Sequence, residues 1–281
     1  MSNNKTITIV YTVTYSKPPF ENINNYLSVL ADFNNNNNIN SIIINQTGYP
    51  FKVNDSIINK INIQIIELEM IFPLSVCRNQ AIDNINDDGF VLFGDEDILY
   101  EKSIIKLLNY KSDDIIYGNV FNEYQNSTIY TNIYKDLLLN ILTTIKSATI
   151  AYSKVFIKEN KFDEDFGVGS INPSSEETEL LLRAYYKKYT IGFIDKTLCS
   201  TEIKDIIATD YKKIISYAFG LKEVLFKYKS LLPKTYYLYI KFKPLLSSLK
   251  YIFTQHALSK RLLVIFFVNI IGTEKRIKKY V

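Results

Sequence analysis

Three acidic residues, Asp95-Glu96-Asp97, follow a short apolar run, Phe90 to Phe93, and a glycine, Gly94. On an extended segment, residues two apart face the same side, so Asp95 and Asp97 would present two carboxylates together. Carboxylates converging at a strand end suit Mn²⁺ or Mg²⁺, hard ions that take oxygen ligands and share phosphate oxygens. The use of such an ion is to neutralise charge growing on a diphosphate leaving group. The competing reading is an ordinary solvated acidic loop.

Two further sets of residues could do chemistry. Ser75, Arg78 and Asn79 have the three- and four-residue spacing that shares one helix face. Arg78 could fork onto phosphate or carboxylate oxygens, or make a surface ion pair with Asp83 or Asp87. Ser174-Ser175-Glu176-Glu177 opens a later helix. Ser174 and Glu177 have the spacing of a capping box; alternatively, one glutamate is a general base for an acceptor hydroxyl. A helix N-terminus favours the ionised carboxylate, which weakens its basicity while meeting the first requirement of a base.

Composition removes other mechanisms. The chain has two cysteines, Cys77 and Cys199, and one histidine, His256, remote from every other motif. A disulfide framework, a thiolate metal site and the Ser-His-Asp and Cys-His mechanisms are therefore excluded. Catalysis would rest on carboxylates, backbone dipoles, Arg or Lys, and a bound ion. His256 reads as structural, and the Asn/Ile/Lys/Tyr bias carries no functional information.

The elements that must position these groups follow from periodicity. Thr6 to Thr14, Ser41 to Ile44, Ile61 to Leu68 and Phe90 to Phe93 read as strands, the first ended by Ser16-Lys17-Pro18-Pro19. Helical spacing runs from Ile23 to Phe33, and again after Pro73 through Leu74, Cys77, Ala81 and Ile85. The Asn34 to Asn38 run is a polar loop. Ile115 to Tyr117 and Thr149 to Tyr152 read as further sheet, with helices over Leu137 to Ile145 and Ser174 to Lys187. This order predicts an α/β fold with a mostly parallel sheet flanked by helices. In such sheets ligands gather beyond the carboxyl ends of the strands, where the acidic triplet falls.

Leu74-Ser75-Val76-Cys77-Arg78-Asn79-Gln80-Ala81-Ile82 followed by Gly89-Phe90-Val91-Leu92-Phe93-Gly94-Asp95-Glu96-Asp97 resembles the heart of glycosyltransferase family 2. Phe162-Asp163-Glu164-Asp165-Phe166-Gly167, then Glu176-Glu177-Thr178-Glu179-Leu180-Leu181-Leu182-Arg183, is similar to its acceptor loop and base helix. The resemblance covers about the first 195 residues. It implies a GT-A fold and an inverting transfer from a nucleotide-diphospho-sugar donor, with Mn²⁺ or Mg²⁺ as cofactor. By the same resemblance Asp95 would face the ribose or the metal, Asp97 would ligate the metal, and Glu177, with Glu176 beside it, would take the place of the base. Thr14, Tyr15, Ser16 and Asn45 would border the nucleotide, with Arg78 also on that side. Two positions depart from the family pattern: Asn45 stands where Asp is common, and no histidine follows the base helix, although Glu202 could substitute.

Charge divides the chain. Residues 205–281 carry a net +11 and the remainder −7. Lys212, Lys213, Lys222, Lys227, Lys229, Lys241, Lys243 and Lys250 alternate with Tyr and Phe there, a composition that binds anionic lipid surfaces; an ordinary helical subdomain with a basic face is the other reading. No nucleic-acid module accompanies the charge, so nucleic acid is not an expected partner. The expectation is a catalytic domain over 1–204 and a basic, aromatic-rich helical extension over 205–281. No signal peptide is visible, and the apolar run Leu262 to Gly272 falls short of the roughly 20 residues that span a bilayer. The protein is expected in the cytoplasm, peripheral on the inner membrane face, transferring sugar to a glycan or lipid-linked glycan in surface polysaccharide synthesis. The alternative is a catalytically silent nucleotide- or glycan-binding relative. A sugar nucleotidyltransferase is disfavoured, because no Gly-rich loop with Arg and Lys follows the first strand.

Overall fold

The computed structural model describes residues 5–15, 17–18, 20–34, 39–86, 88–201, 211–251 and 256–271. The first half runs β1 (Thr6–Val13), α1 (Glu21–Phe33), β2 (Ile39–Asn45), α2 (Asp55–Ile58), β3 (Asn62–Glu67), α3 (Leu74–Asp83), β4 (Gly89–Gly94), β5 (Ile98–Tyr100) and α4 (Lys102–Leu108). There follow β6 (Ile115–Asn122), β7 (Ser127–Ile129), α5 (Leu137–Thr143), a 3₁₀ turn (Ser147–Thr149), β8 (Ile150–Ser153), α6 (Lys154–Glu159), α7 (Glu176–Tyr186) and β9 (Ile191–Thr201). Three helices complete the described residues: α8 (Tyr211–Lys227), α9 (Lys234–Tyr251) and α10 (His256–Ile271).

One sheet holds all the strands, in the order β3-β2-β1-β4-β8-β6-β9-β5, with β7 beside β6. The stretch β3-β2-β1-β4 is wholly parallel, as the strand–helix alternation predicts. Beyond it β8 runs antiparallel to both β4 and β6, and β6 pairs parallel with β9. A parallel strand is covered on both faces, which is why β1 is buried from Ile7 to Val13. Its side chains alternate between two layers. Val10 packs with Cys77, Ala81 and Ile82 of α3 and Leu180 to Leu182 of α7; Ile9 and Tyr11 pack with Ile23, Leu27 and Leu30 of α1.

The helices of the extension enter the first of these layers. Val224, Leu225, Tyr228, Leu232 and Ile240 are buried in the same core as α3 and α7. Hydrophobic packing therefore joins the described residues before 202 to those after 210. Among the described residues no helix is long and apolar enough to cross a membrane.

Candidate active site

β1 and β4 lie side by side and parallel, and the acidic triplet leaves the carboxyl end of β4. It leaves in a turn rather than an extended segment, with the Ile98 N–H donating to the Asp95 carbonyl at 3.2 Å. The shared face expected of an extended Asp95 and Asp97 is thus corrected: the chain must change direction between β4, inside the sheet, and β5, at its far edge. Gly94 sets where that turn begins, since a Cβ there would come within 3.0 Å of the Tyr11 ring and 3.2 Å of the Tyr100 ring.

The three acids have different surroundings. Asp95 keeps 59% of its side chain accessible, and Asp97 is exposed, one of its oxygens accepting from Thr201 Oγ1 at 3.2 Å. Glu96 faces the end of β1, where its carboxylate accepts the backbone N–H groups of Thr14 at 2.5 Å and Tyr15 at 2.7 Å. This link between triplet and first strand was not foreseen from sequence. Tyr15 itself is 81% exposed. Ser16, Asp87, Glu202 and residues 35–38 lie outside the described residues, as does the side chain of His256.

Asn45, at the end of β2, is buried. Its amide donates to the Tyr49 carbonyl at 2.7 Å and to Glu67, and its oxygen accepts from Thr47 Oγ1 at 2.8 Å. Glu67 is its register partner on β3 and also accepts the Phe51 N–H at 2.9 Å. The polar atoms of Asn45 are thus engaged within its own loop, and the exposed carboxylate at this rim belongs to Glu67.

Arg78 is 2% exposed and makes no surface pair with Asp83. Its Nη1 lies 3.0 Å from Glu176 Oε1 and its Nη2 3.7 Å from Asp95 Oδ1. The guanidinium sits over the rings of Phe93 and Phe162, 5.6 and 5.4 Å from their centroids. Asn79 clamps the next segment, exchanging 3.0 Å hydrogen bonds with the Phe162 backbone and donating to Glu164 at 3.0 Å. Ser75 donates to the Phe166 carbonyl. The expected face of α3 therefore exists, but it is buried and holds the loop before α7. Gly167 closes that contact with φ +109°, where a Cβ would stand 2.7 Å from Ser75 Oγ.

No capping box forms at α7. Ser175 is the N-cap in a left-handed conformation, without a side-chain cap bond. Ser174 bonds instead across to α8, at 3.2 Å from the Ser216 carbonyl and 3.3 Å from that of Tyr217. Glu176 is buried against Arg78. Burial pushes the Glu177 carboxyl up to about 8, the adjacent Glu176 charge adds, and its own backbone N–H, Arg78 and Lys146 pull the other way. Desolvation therefore outweighs the helix N-terminus, and a carboxyl expected to ionise readily holds its proton toward neutral pH.

Burial also raises Asp95, with Arg78 opposing and Asp97, Glu176 and Glu96 adding repulsion. Asp95 is thus accessible to solvent and surrounded by charge. Among the described residues no group of three or more His, Cys, Asp or Glu is placed to hold a metal ion. Asp95 and Asp97 nevertheless offer hard oxygens in a field of mutual repulsion that a divalent cation would offset. That donor set fits an ion shared with phosphate oxygens and water better than a closed protein cage.

By sequence, no protein-family model and no curated protein matches this chain. Solved structures do match in fold. S. aureus TarS 1-349 is 15% identical, with 96% of this chain and 93% of that one covered and a TM-score of 0.52. The mannosyltransferase PcManGT from Pyrobaculum calidifontis, in complex with GDP-Man and Mn²⁺, is 10% identical, covers 97% and 89%, and has a TM-score of 0.65. TarS 1-349 in complex with UDP-GlcNAc is 14% identical, with 95% and 92% covered and a TM-score of 0.51. With its parallel half, its antiparallel completion and an acidic turn at their junction, the chain has the GT-A-like α/β fold of these glycosyltransferases.

Proposed function

We propose that this chain is an inverting, metal-dependent glycosyltransferase of family 2, moving a sugar from a nucleotide-diphosphate donor to a hydroxyl on a glycan or lipid-linked glycan. The observation that carries the reading is the Arg78 bridge. One buried guanidinium reaches both Asp95, on the acidic turn, and Glu176, on the first turn of α7. Glu177 is next in the chain, with a carboxyl raised toward neutrality.

The roles divide accordingly. Asp95 and Asp97 would hold Mn²⁺ or Mg²⁺ with the donor phosphates, and the ion would supply charge to offset the departing diphosphate. Thr14, Tyr15 and Ser16 would border the nucleotide, with Asn45 acting through Glu67 and the 45–51 loop. Glu177 accepts the proton of the acceptor hydroxyl as its oxygen forms a bond to the anomeric carbon. The bond from that carbon to the diphosphate breaks on the opposite face, the diphosphate keeps the electron pair, and the configuration inverts. Glu176, committed to Arg78, positions Glu177 and raises its basicity rather than taking the proton itself. Arg78 is likewise a positioning residue.

The catalytic part is proposed over 1–204, with the 205–281 extension packed on it and lying at an anionic membrane surface. No acidic residue stands between Glu223 and Glu274. Leu238, Phe242, Leu246 and Leu249 form an exposed apolar stripe along α9, with Lys234 and Lys241 beside it. An apolar stripe framed by lysines is the composition of interfacial helices. The corresponding site of action is the cytoplasmic membrane face, in surface polysaccharide synthesis.

The test is release of nucleoside diphosphate from UDP-, GDP- and dTDP-sugars, with and without Mn²⁺, in the presence of membrane glycolipid extract. Metal-dependent release with one donor, lost in Glu177→Gln, supports the reading. Nucleotide binding without turnover, unchanged by Glu177→Gln, would favour the silent relative. Sedimentation with anionic but not neutral vesicles checks the surface independently.

A further inference from the structure

The extension grips α7 from its start to its end. Before the first turn, Ser174 donates to the Ser216 and Tyr217 carbonyls of α8, and Ser216 Oγ donates to the Pro173 carbonyl at 3.3 Å. Gly220 lets the two backbones meet there, since a Cβ would lie 2.6 Å from the Ser174 carbonyl oxygen. At the last turn, Tyr186 stacks on Tyr228, 5.9 Å between ring centroids, and donates to the Leu231 carbonyl at 3.0 Å. Between these two contacts stands Glu179, whose side chain is 0% exposed.

A carboxylate so enclosed needs partners for both oxygens. Oε2 accepts from Arg183 Nη2 at 2.7 Å, one turn along the same helix. Oε1 accepts from Lys227 Nζ at 2.6 Å and from the Tyr228 hydroxyl at 2.9 Å, both at the end of α8. The Lys227 ammonium is shared: it also donates to Asp163 Oδ2 at 2.6 Å and lies 5.4 Å from the centre of the Phe166 ring. Asp163 uses its other oxygen inside its own loop, accepting the Asp165 N–H at 3.0 Å. One cation thus joins α7 to loop 162–167, the loop that Asn79 and Ser75 hold from the side of α3. Arg78 ties α7 to the acidic turn; Lys227 ties it to the loop.

We propose that Lys227 is a positioning residue for the transfer reaction: by joining Asp163 to Glu179 it fixes the base helix against loop 162–167, which makes the extension part of the catalytic unit. This rests on the glycosyltransferase reading, in which Glu177 takes the proton. Residues two apart on a helix face nearly opposite sides. Holding Glu179 therefore sets the rotation of α7 about its axis, and with it the direction of Glu177. A base must lie within hydrogen-bond reach of the proton it takes, so a small rotation is felt in the rate. Lys227 itself touches neither donor nor acceptor in this role.

The test compares full-length wild type, Lys227→Gln and Lys227→Arg by backbone hydrogen exchange and by turnover of UDP-, GDP- and dTDP-sugars with Mn²⁺ and membrane glycolipid extract. In Lys227→Gln, exchange over 162–167 and 176–182 should quicken about tenfold or more, while β1 and β4 keep their protection. Turnover per molecule that binds nucleotide should fall about tenfold or more, with nucleotide affinity within about twofold of wild type. Lys227→Arg, which keeps the charge, should recover most of both. Should Lys227→Gln not fold, Asp163→Asn severs the loop half of the bridge at a carboxylate that is 29% exposed, and is held to the same criteria. Wild-type exchange in α7, unchanged turnover per bound nucleotide, or Lys227→Arg as slow as Lys227→Gln overturns the proposal. Wild type that turns over no donor defeats the glycosyltransferase reading and, with it, the positioning role, whatever the exchange pattern; the exchange arm alone then shows whether the bridge holds α7.

Discussion

The acidic turn and the start of α7, bridged by Arg78, hold their carboxylates in opposite ways. On the acidic turn Asp95 and Asp97 are exposed, and the turn is tied to β1 through Glu96 and backbone N–H groups. On α7, Glu176 and Glu179 are buried and compensated by Arg78, Arg183, Lys227 and Tyr228. The exposed side keeps ligand positions for something that arrives. On the buried side the cations are spent on Glu176 and Glu179, and burial raises the carboxyl of Glu177, which lies between them in the chain. A group that must exchange ligands needs access, whereas a proton acceptor needs a fixed place and an adjusted pKa.

Breaking the buried side should cost most. Glu177→Gln is expected to lower turnover by about 10²–10⁴-fold, the range for loss of a general base, while nucleotide affinity stays within twofold; steady-state rates and calorimetry on one preparation check both. Arg78→Met leaves Glu176 buried without its cation. It should lower unfolding free energy by about 3–5 kcal/mol, read from urea denaturation, whereas loss of a surface residue would barely move the midpoint.

pH sharpens the contrast. With Glu177 as the proposed base, kcat/KM should rise with pH to a half-maximum near about 8. Glu176→Gln removes the like charge and should move that limb to lower pH; an unmoved limb contradicts the positioning role. Stability has the opposite slope. The folded carboxyl holds its proton up to about 8 and the unfolded one only to 4.5, so wild type should lose stability relative to Glu177→Gln as pH rises through that window. Urea midpoints at several pH values test this.

The parallel half of the fold was legible because its strands and helices carry uninterrupted apolar patterns, as in β1, β2 and α3. β9 was not, since Asp195 and Lys196 interrupt its pattern and exposed positions fall mid-strand. The positions of the acidic turn after β4 and of a helix opening near Ser175 were likewise readable, whereas their wiring was not. Ser174 and Glu177 satisfy the spacing of a capping box, yet Ser174 is drawn to α8 by packing 42 residues along the chain that no local pattern records. Arg78 and Asn79 were correctly placed on one helix face. Whether that face meets solvent or protein depends on the loop 162–167, a tertiary fact.

Smaller effects come from the loops that support each side. Asn79→Ala should cost about 1–3 kcal/mol by leaving the buried Phe162 backbone groups without partners. Asn45→Asp replaces the donor to Glu67 by a second carboxylate and should destabilise by a similar or smaller amount. Protonating the introduced carboxyl at low pH should restore a donor, so the gap from wild type in urea midpoint should narrow there.

In the proposed enzyme the exposed acidic turn holds a nucleoside diphosphate through a divalent cation. Calorimetric titration of UDP, GDP and dTDP into the full chain, with and without Mn²⁺, tests it most directly. Mn²⁺-dependent binding of at least one of them is expected, abolished in Asp97→Ala and retained in Glu177→Gln. Binding that ignores both Mn²⁺ and Asp97, or no binding under any condition, would contradict it.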